Sequence, residues 1–133
     1  MTAMVLDLRS PARTERIEGV RSFVGRDASG SFGLLPGHER LLTVLVLGLA
    51  RFRLEDAAWH YLAVPGAVLD GEADRIVLAT RHYLLDTDYD RISRRLDEEI
   101  AREEKDARAL RSSLSRMDEE LLRHLWETGA ESW

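Results

Sequence analysis

Four histidines, His38, His60, His82 and His124, are the side chains best suited to proton transfer or metal ligation in this chain. No two stand four residues apart and none lies in a His-Glu-x-x-His pattern, so no helix face offers a paired ligand set. Serine chemistry fares no better. Ser29-Gly30-Ser31-Phe32-Gly33 is not the Gly-x-Ser-x-Gly of a nucleophile elbow, which also needs a strand–turn–helix setting. Gly25 and Gly30 have the outer spacing of a phosphate loop, but no Lys-Ser or Lys-Thr follows, and the single lysine is the distant Lys105. Carboxylates crowd at Asp97–Glu99 and Asp118–Glu120, inside stretches whose composition reads as solvated helix. A catalytic site needs convergent polar groups, and the sequence points to none. The expectation is a non-enzyme without catalytic, cofactor-binding or metal-binding residues; the rival enzyme reading is a small hydrolase or binder using His38 and Asp27.

The most heavily punctuated segment is Asp27–Leu45, "DASGSFGLLPGHERLLTVL", where Gly30, Gly33, Pro36 and Gly37 crowd beside a long apolar run. Glycine permits positive φ and close backbone approach, and proline pre-sets a turn. The segment is read as an exposed loop between strands, and a loop on a rigid scaffold suits docking.

The elements that must position this loop change character near Asp86. Before it, apolar runs at 3–8, 19–26, 41–47, 49–54, 59–64, 66–70 and 75–80 alternate with turn signals such as Ser-Pro-Ala, Leu-Pro-Gly-His and Asp-Gly-Glu-Ala-Asp. Many short strands at such spacing predict a sandwich or barrel. In the run 19–26, Val20, Ser22 and Val24 fall on one side and Arg21, Phe23 and Gly25 on the other, so both faces of that strand are read as covered. His60 is read as a sheet-face residue and His82 as part of a connector. After Asp86, neither glycine nor proline occurs until Gly129, and Arg, Glu, Leu and Ala dominate. Tyr89, Ile92, Leu96 and Ile100 step at helical spacing, as do Leu110, Leu114, Met117, Leu121 and Leu125. A helical hairpin turning near 101–107 or 112–115 and one long helix are both open at this point. Glu98 with Arg102, Glu104 with Arg108 and Glu119 with Arg123 are spaced for exposed ion pairs. The division expected is an N-terminal β-sandwich domain, 1–86, and a C-terminal helical domain, 87–133.

Composition narrows the partners. The formal charge of −5 lacks the basic excess of nucleic-acid binders. There are no cysteines, which removes disulfides and thiolate metal sites and fits a reducing compartment. No apolar stretch approaches the ~20 residues of a membrane helix, and the N-terminus has no long apolar core of the kind a signal peptide carries. The expectation is a cytoplasmic protein that does not insert in the membrane.

The run Gly33-Leu34-Leu35-Pro36-Gly37-His38, followed by Leu41-Leu42-Thr43, resembles the signature of the epsilon subunit of rotary F-type ATP synthases. The fuller pattern, from Asp27-Ala28-Ser29-Gly30 to Leu45, is most similar to the epsilon of the alternate, sodium-type F-ATPases. The likeness extends through the opening strands and through "HYLAVPGAVLDGEADRIVLATRHYLL", and covers about residues 3–86. It implies a β-sandwich of about ten short strands followed by a helical hairpin or long helix. It also implies a non-catalytic rotor subunit, peripheral to the cytoplasmic face of the cell membrane, that links the gamma stalk to the membrane rotor ring. Ser31, Phe32 and His38 would be its stalk or ring contacts. Arg108, Arg111, Arg116 and Arg123 would bring the tail to the catalytic β subunits and restrain ATP hydrolysis.

Two departures stand out. The Gly-Gly of the family reads Gly66-Ala67 here, preceded by Pro65, which lacks a ladder donor and is expected at a sheet edge or bulge. The Leu/Ile-Asp-x-x-Arg-Ala motif with which some relatives bind ATP reads Tyr89-Asp90-Arg91-Ile92-Ser93-Arg94 here. A second near-match, Leu96–Ala101, has Ile100 in place of the arginine, so ATP binding is not expected. The reading from another class is a free-standing regulator that dimerises through the stripe 110–125.

Overall fold

A computed structural model describes residues 3–56 and 58–132, the side chains of 128–132 excepted. The strands are β1 (Met4–Arg9), β2 (Thr14–Val20), β3 (Ser22–Asp27), β4 (Gly30–Leu34) and β5 (His38–Leu45), then β6 (Gly48–Arg53), β7 (Trp59–Val64), β8 (Ala67–Ala73), β9 (Arg75–Thr80) and β10 (Leu84–Asp86). One helix, α1 (Tyr89–Ser132), follows. The strands lie in the order β10-β7-β6-β3-β5-β8-β9-β1-β2, with β4 paired to β3. β3 and β5 share only the pair Asp27–Leu45. The path therefore folds there into two layers, β4-β3-β6-β7-β10 and β5-β8-β9-β1-β2. All pairings are antiparallel except that of β1 with β9.

The alternation of side chains fills the space between the layers. Phe23, Phe52 and Leu62 of the first layer meet Leu6, Leu69 and Ile76 of the second in one buried cluster. Burying such side chains contributes about 1.5–3 kcal/mol each, before conformational entropy is charged against it. Asp7 is the buried charged residue among those described. It leaves the outer side of β1, where Arg75 of β9 closes over it with Nε and Nη2 at 3.0 and 2.9 Å from Oδ2.

Seven apolar runs were legible as strands, and the structure has more. The run 19–26 divides at Arg21 into the end of β2 and the start of β3, which is why Val20 is buried even though the other alternating residues Ser22 and Val24 are only half-buried. The segment expected to be an exposed loop contains strand β4, paired with β3 from Phe23–Leu34 to Asp27–Gly30. Its true turns are short: Ala28-Ser29 joins β3 to β4, and residues 35–37 join β4 to β5. Pro65 sits neither in an edge strand nor in a bulge, but in the connection between β7 and β8, where a missing N–H has no ladder bond to lose.

Of the two helical arrangements left open, the single helix forms; neither 101–107 nor 112–115 turns. Both stretches lack a glycine or proline, and serine inside a helix costs only a fraction of a kcal/mol. Asp88 caps the start, accepting at Oδ1 from the Arg91 N–H at 3.1 Å. Arg102 pairs with Glu99 at 3.1 Å, one residue nearer than the expected Glu98. Two compact units result, residues 1–96 and 97–133, so the first two turns of α1 belong with the sheets. Ile92, fully buried, lies in those turns.

Candidate docking surface

The segment Asp27–Leu45 is held by local bonds. Asp27 Oδ1 accepts from the Ser29 backbone N–H at 2.9 Å and from the Ser29 hydroxyl at 2.5 Å, while Oδ2 accepts from the Thr43 hydroxyl at 2.8 Å. The Ser29 hydroxyl, and next the Thr43 hydroxyl, hold the Asp27 carboxyl below its ordinary value. One aspartate thus pins the β3–β4 hairpin to β5. The second turn is type II: Pro36 supplies the fixed φ, Gly37 takes φ 80°, and the His38 N–H donates to the Leu35 carbonyl at 3.1 Å. The Gly37 N–H is shared between the Ala73 carbonyl at 3.1 Å and Asp74 Oδ1 at 3.2 Å, which anchors the turn to the β8–β9 corner.

Ser31, Phe32 and His38 do not share one face. Ser31 is exposed. Phe32 is half-buried against the core and lies over Gly25, its cross-strand partner; a Cβ at Gly25 would stand 2.9 Å from the ring. His38 turns its ring over Gly71, where an added Cβ would meet Cε1 at 2.9 Å. Its Nδ1 lies 2.8 Å from the Glu39 carbonyl, which makes Nδ1 the protonated nitrogen, and the buried Nε2 has no hydrogen-bond partner among the described residues. His60 stacks on Phe52 with centroids 5.3 Å apart, and His82 lies in the connector after β9.

The outer side of the second layer is apolar. Leu42 and Val44 of β5 are 65% and 63% exposed, and Val68 of β8, which pairs with Val44, is 50% exposed. Val46 and Leu47 extend the patch into the next connection, and an Arg40–Asp70 pair at 3.6 Å borders it. Reading the sequence for site residues missed these positions, although β5 signals them: residues 41–47 are apolar except for Thr43, so both faces of the strand carry aliphatic side chains, which implies cover on both sides.

The outer side of the first layer is built differently. Arg51 pairs with Tyr61 and Arg53 with Trp59 across β6 and β7. Both guanidinium groups lie over the Trp59 ring, at 4.5 and 4.2 Å from its centroid. In the helical unit, Arg108, Arg111, Arg116 and Arg123 are exposed, as are Leu110, Leu114, Met117, Leu121 and Leu125.

Residues 3–84 match the family model described as ATP synthase, Delta/Epsilon chain, beta-sandwich domain. The chain is 38% identical over 109 residues to ATP synthase epsilon chain 2 of Cereibacter sphaeroides, covering 81% of this chain and 75% of that one. It is 34% identical over 73 residues to ATP synthase epsilon chain 1 of Syntrophotalea carbinolica, spanning about half of each, 55% and 52%. Among solved structures, the fold is similar to a chain of the Euglena gracilis mitochondrial ATP synthase (OSCP/F1/c-ring), with TM-score 0.60 at 18% identity over 76% of this chain and 66% of that one. A chain of the Tetrahymena thermophila mitochondrial ATP synthase central stalk and c-ring matches with TM-score 0.52 at 14% identity, over 61% and 65%. With the sandwich domain matched along its length and a relative aligned over three quarters of its own chain, this chain belongs to the epsilon-chain family of the F-type ATP synthases.

Proposed function

We propose that the chain is a central-stalk rotor subunit that joins the gamma stalk to the membrane rotor ring and performs no chemistry itself. The observation that carries this is the apolar outer face of β5 and β8. Leu42, Val44 and Val68 form a row open to solvent on an otherwise well-packed sandwich, and such a row marks a protein-binding surface. Ser31, Phe32 and His38 are the further stalk or ring contacts in this reading. Assembly would hold the chain at the cytoplasmic face of the membrane as a peripheral subunit, and no described helix is long and apolar enough to cross.

The tail is assigned a restraining role. Its four exposed arginines would meet acidic groups of the catalytic β subunits and slow ATP hydrolysis, without ATP binding to the tail. The "chain 2" designation of the Cereibacter sphaeroides relative, shared by a Paraburkholderia xenovorans relative 32% identical over 100 residues, supports assignment to the alternate, sodium-type enzymes.

The test is assembly with the gamma and ring subunits of the same synthase. Leu42→Glu with Val44→Glu replaces two solvent-facing apolar side chains, so the sandwich should melt as before. Binding should weaken by about 2 kcal/mol or more, roughly thirtyfold, as loss of an interface hot spot does. Unchanged assembly by this variant would refute the docking face.

A further inference from the structure

β3 and β6 pair from Ser22–Arg53 to Val24–Arg51 and then part, since the end of β3 turns to Leu45 of β5. Between the parting strands lies a cleft of about 360 Å³ lined by Val24, Arg26, Ser31, Leu49, Arg51 and Tyr61. Tyr89 closes one side, its ring edge-on to Tyr61 with centroids 5.4 Å apart. Arg26 sits opposite Ser31 in the β3–β4 register, so the cleft adjoins the hairpin that carries Ser31.

The charge around this cleft is not balanced by the chain's own carboxylates. Arg13, Arg16, Arg21, Arg40, Arg75 and Arg91 each have a carboxylate within 3.9 Å. Arg26 and Arg51 have none within 4.0 Å among the described residues, in a chain whose formal charge is −5; Arg51 lies over the Trp59 ring, and stacking on a ring face leaves the in-plane N–H donors of a guanidinium able to meet a carboxylate. No lining residue is acidic. The two carboxylates closest along the strands are engaged elsewhere: Asp27 by Ser29 and Thr43, and Asp86 by both Nε and Nη2 of Arg91.

We propose that this cleft receives a short acidic segment of a partner polypeptide, with aspartate or glutamate carboxylates seated between Arg26 and Arg51 and its backbone against Tyr61 and Tyr89. Guanidinium groups match carboxylates through two parallel hydrogen bonds. The cleft lies open beside Ser31 rather than enclosed, which suits a loop entering from a docked subunit. The inference rests on the docking reading above, and assigns a second, charge-complementary contact to the same partners.

Two measurements decide it. In the first, binding to the gamma–ring assembly is followed at low and raised salt. Arg26→Glu with Arg51→Glu should weaken binding at least tenfold at low salt and flatten its salt dependence, whereas Arg26→Lys with Arg51→Lys should retain most of it. Loss of binding by the Leu42→Glu, Val44→Glu variant alone, with the Arg26→Glu, Arg51→Glu variant binding as the unmodified chain does, would leave the docking face standing and overturn the acidic-segment site. The second uses the isolated chain and so does not depend on assembly. Titration with tetraglutamate should shift the amide resonances of Val24, Ser31 and Arg51, and Arg26→Glu with Arg51→Glu should abolish those shifts. Absence of these shifts, or the same shifts from inorganic phosphate at matched ionic strength, would overturn the proposal.

Discussion

Leu42, Val44 and Val68 point to solvent from the second layer; Arg51, Arg53, Trp59 and Tyr61 do so from the first. The two layers obey the same strand alternation and bury the same kind of inner face. They differ in how the outer face is satisfied. The first layer covers its aromatic rings with its own cations, each contact contributing about 0.5–1 kcal/mol at an exposed site. The second layer leaves its aliphatic side chains uncovered, and only a partner can remove them from water. In the proposed reading the bare aliphatic row of the second layer is the main docking face, and the first layer contributes only the charged cleft at Arg26 and Arg51. An apolar side chain left bare costs the isolated fold little to change.

Removing residues 97–133 is the largest test of that division, because it leaves both outer faces and the buried Ile92 in place. The truncated chain should melt cooperatively as a β protein and still assemble, while ATP hydrolysis by the complex rises several-fold. Truncation after Asp86 would instead remove Ile92, and large buried aliphatic groups typically cost 2–5 kcal/mol when cut back. A smaller effect is expected at the edge of the first layer. Arg91 and the Asp88 N–H hold the Asp86 carboxyl well below the usual carboxylate range. Its folded value is lowered, so the stabilisation is fully present above the unfolded value of about 3.9 and is lost as pH falls toward the folded value. In melts across pH, Asp86→Asn should be the less stable form at neutrality, and the gap should narrow progressively below about pH 4. A gap independent of pH would mean that the pair does not contribute through charge. Docking through the second layer should be unaffected by this substitution.

How much of this was legible varied with the residue. A turn at Pro36 was legible because proline fixes φ, and Gly37 after it admits the positive φ that makes the turn type II. The start of the helix was legible from composition, but its continuity was not: a charged middle is compatible with a turn until the absence of a helix breaker is given its full weight. β4 was hidden by Gly30 and Gly33, which read as loop; its pairing with β3 is set by a hairpin, and Phe32 packs over Gly25 for reasons that only the register reveals. The cleft could not be read at all. It exists because β3 abandons β6 for β5, a tertiary choice that leaves no mark in the periodicity of either strand. The apolar outer face was legible in part, since residues 41–47, apolar except for Thr43, put aliphatic side chains on both faces without saying what covers the outer one.

The absence of native cysteines allows the central claim to be tested by single thiols. Val44→Cys lies on the proposed docking face, and Glu18→Cys on β2 is an exposed control. Maleimide labelling rates are measured on each variant alone and after assembly with the gamma and ring subunits. The account predicts that assembly slows labelling at position 44 at least tenfold and leaves position 18 reactive. Equal labelling of position 44 before and after assembly would contradict it.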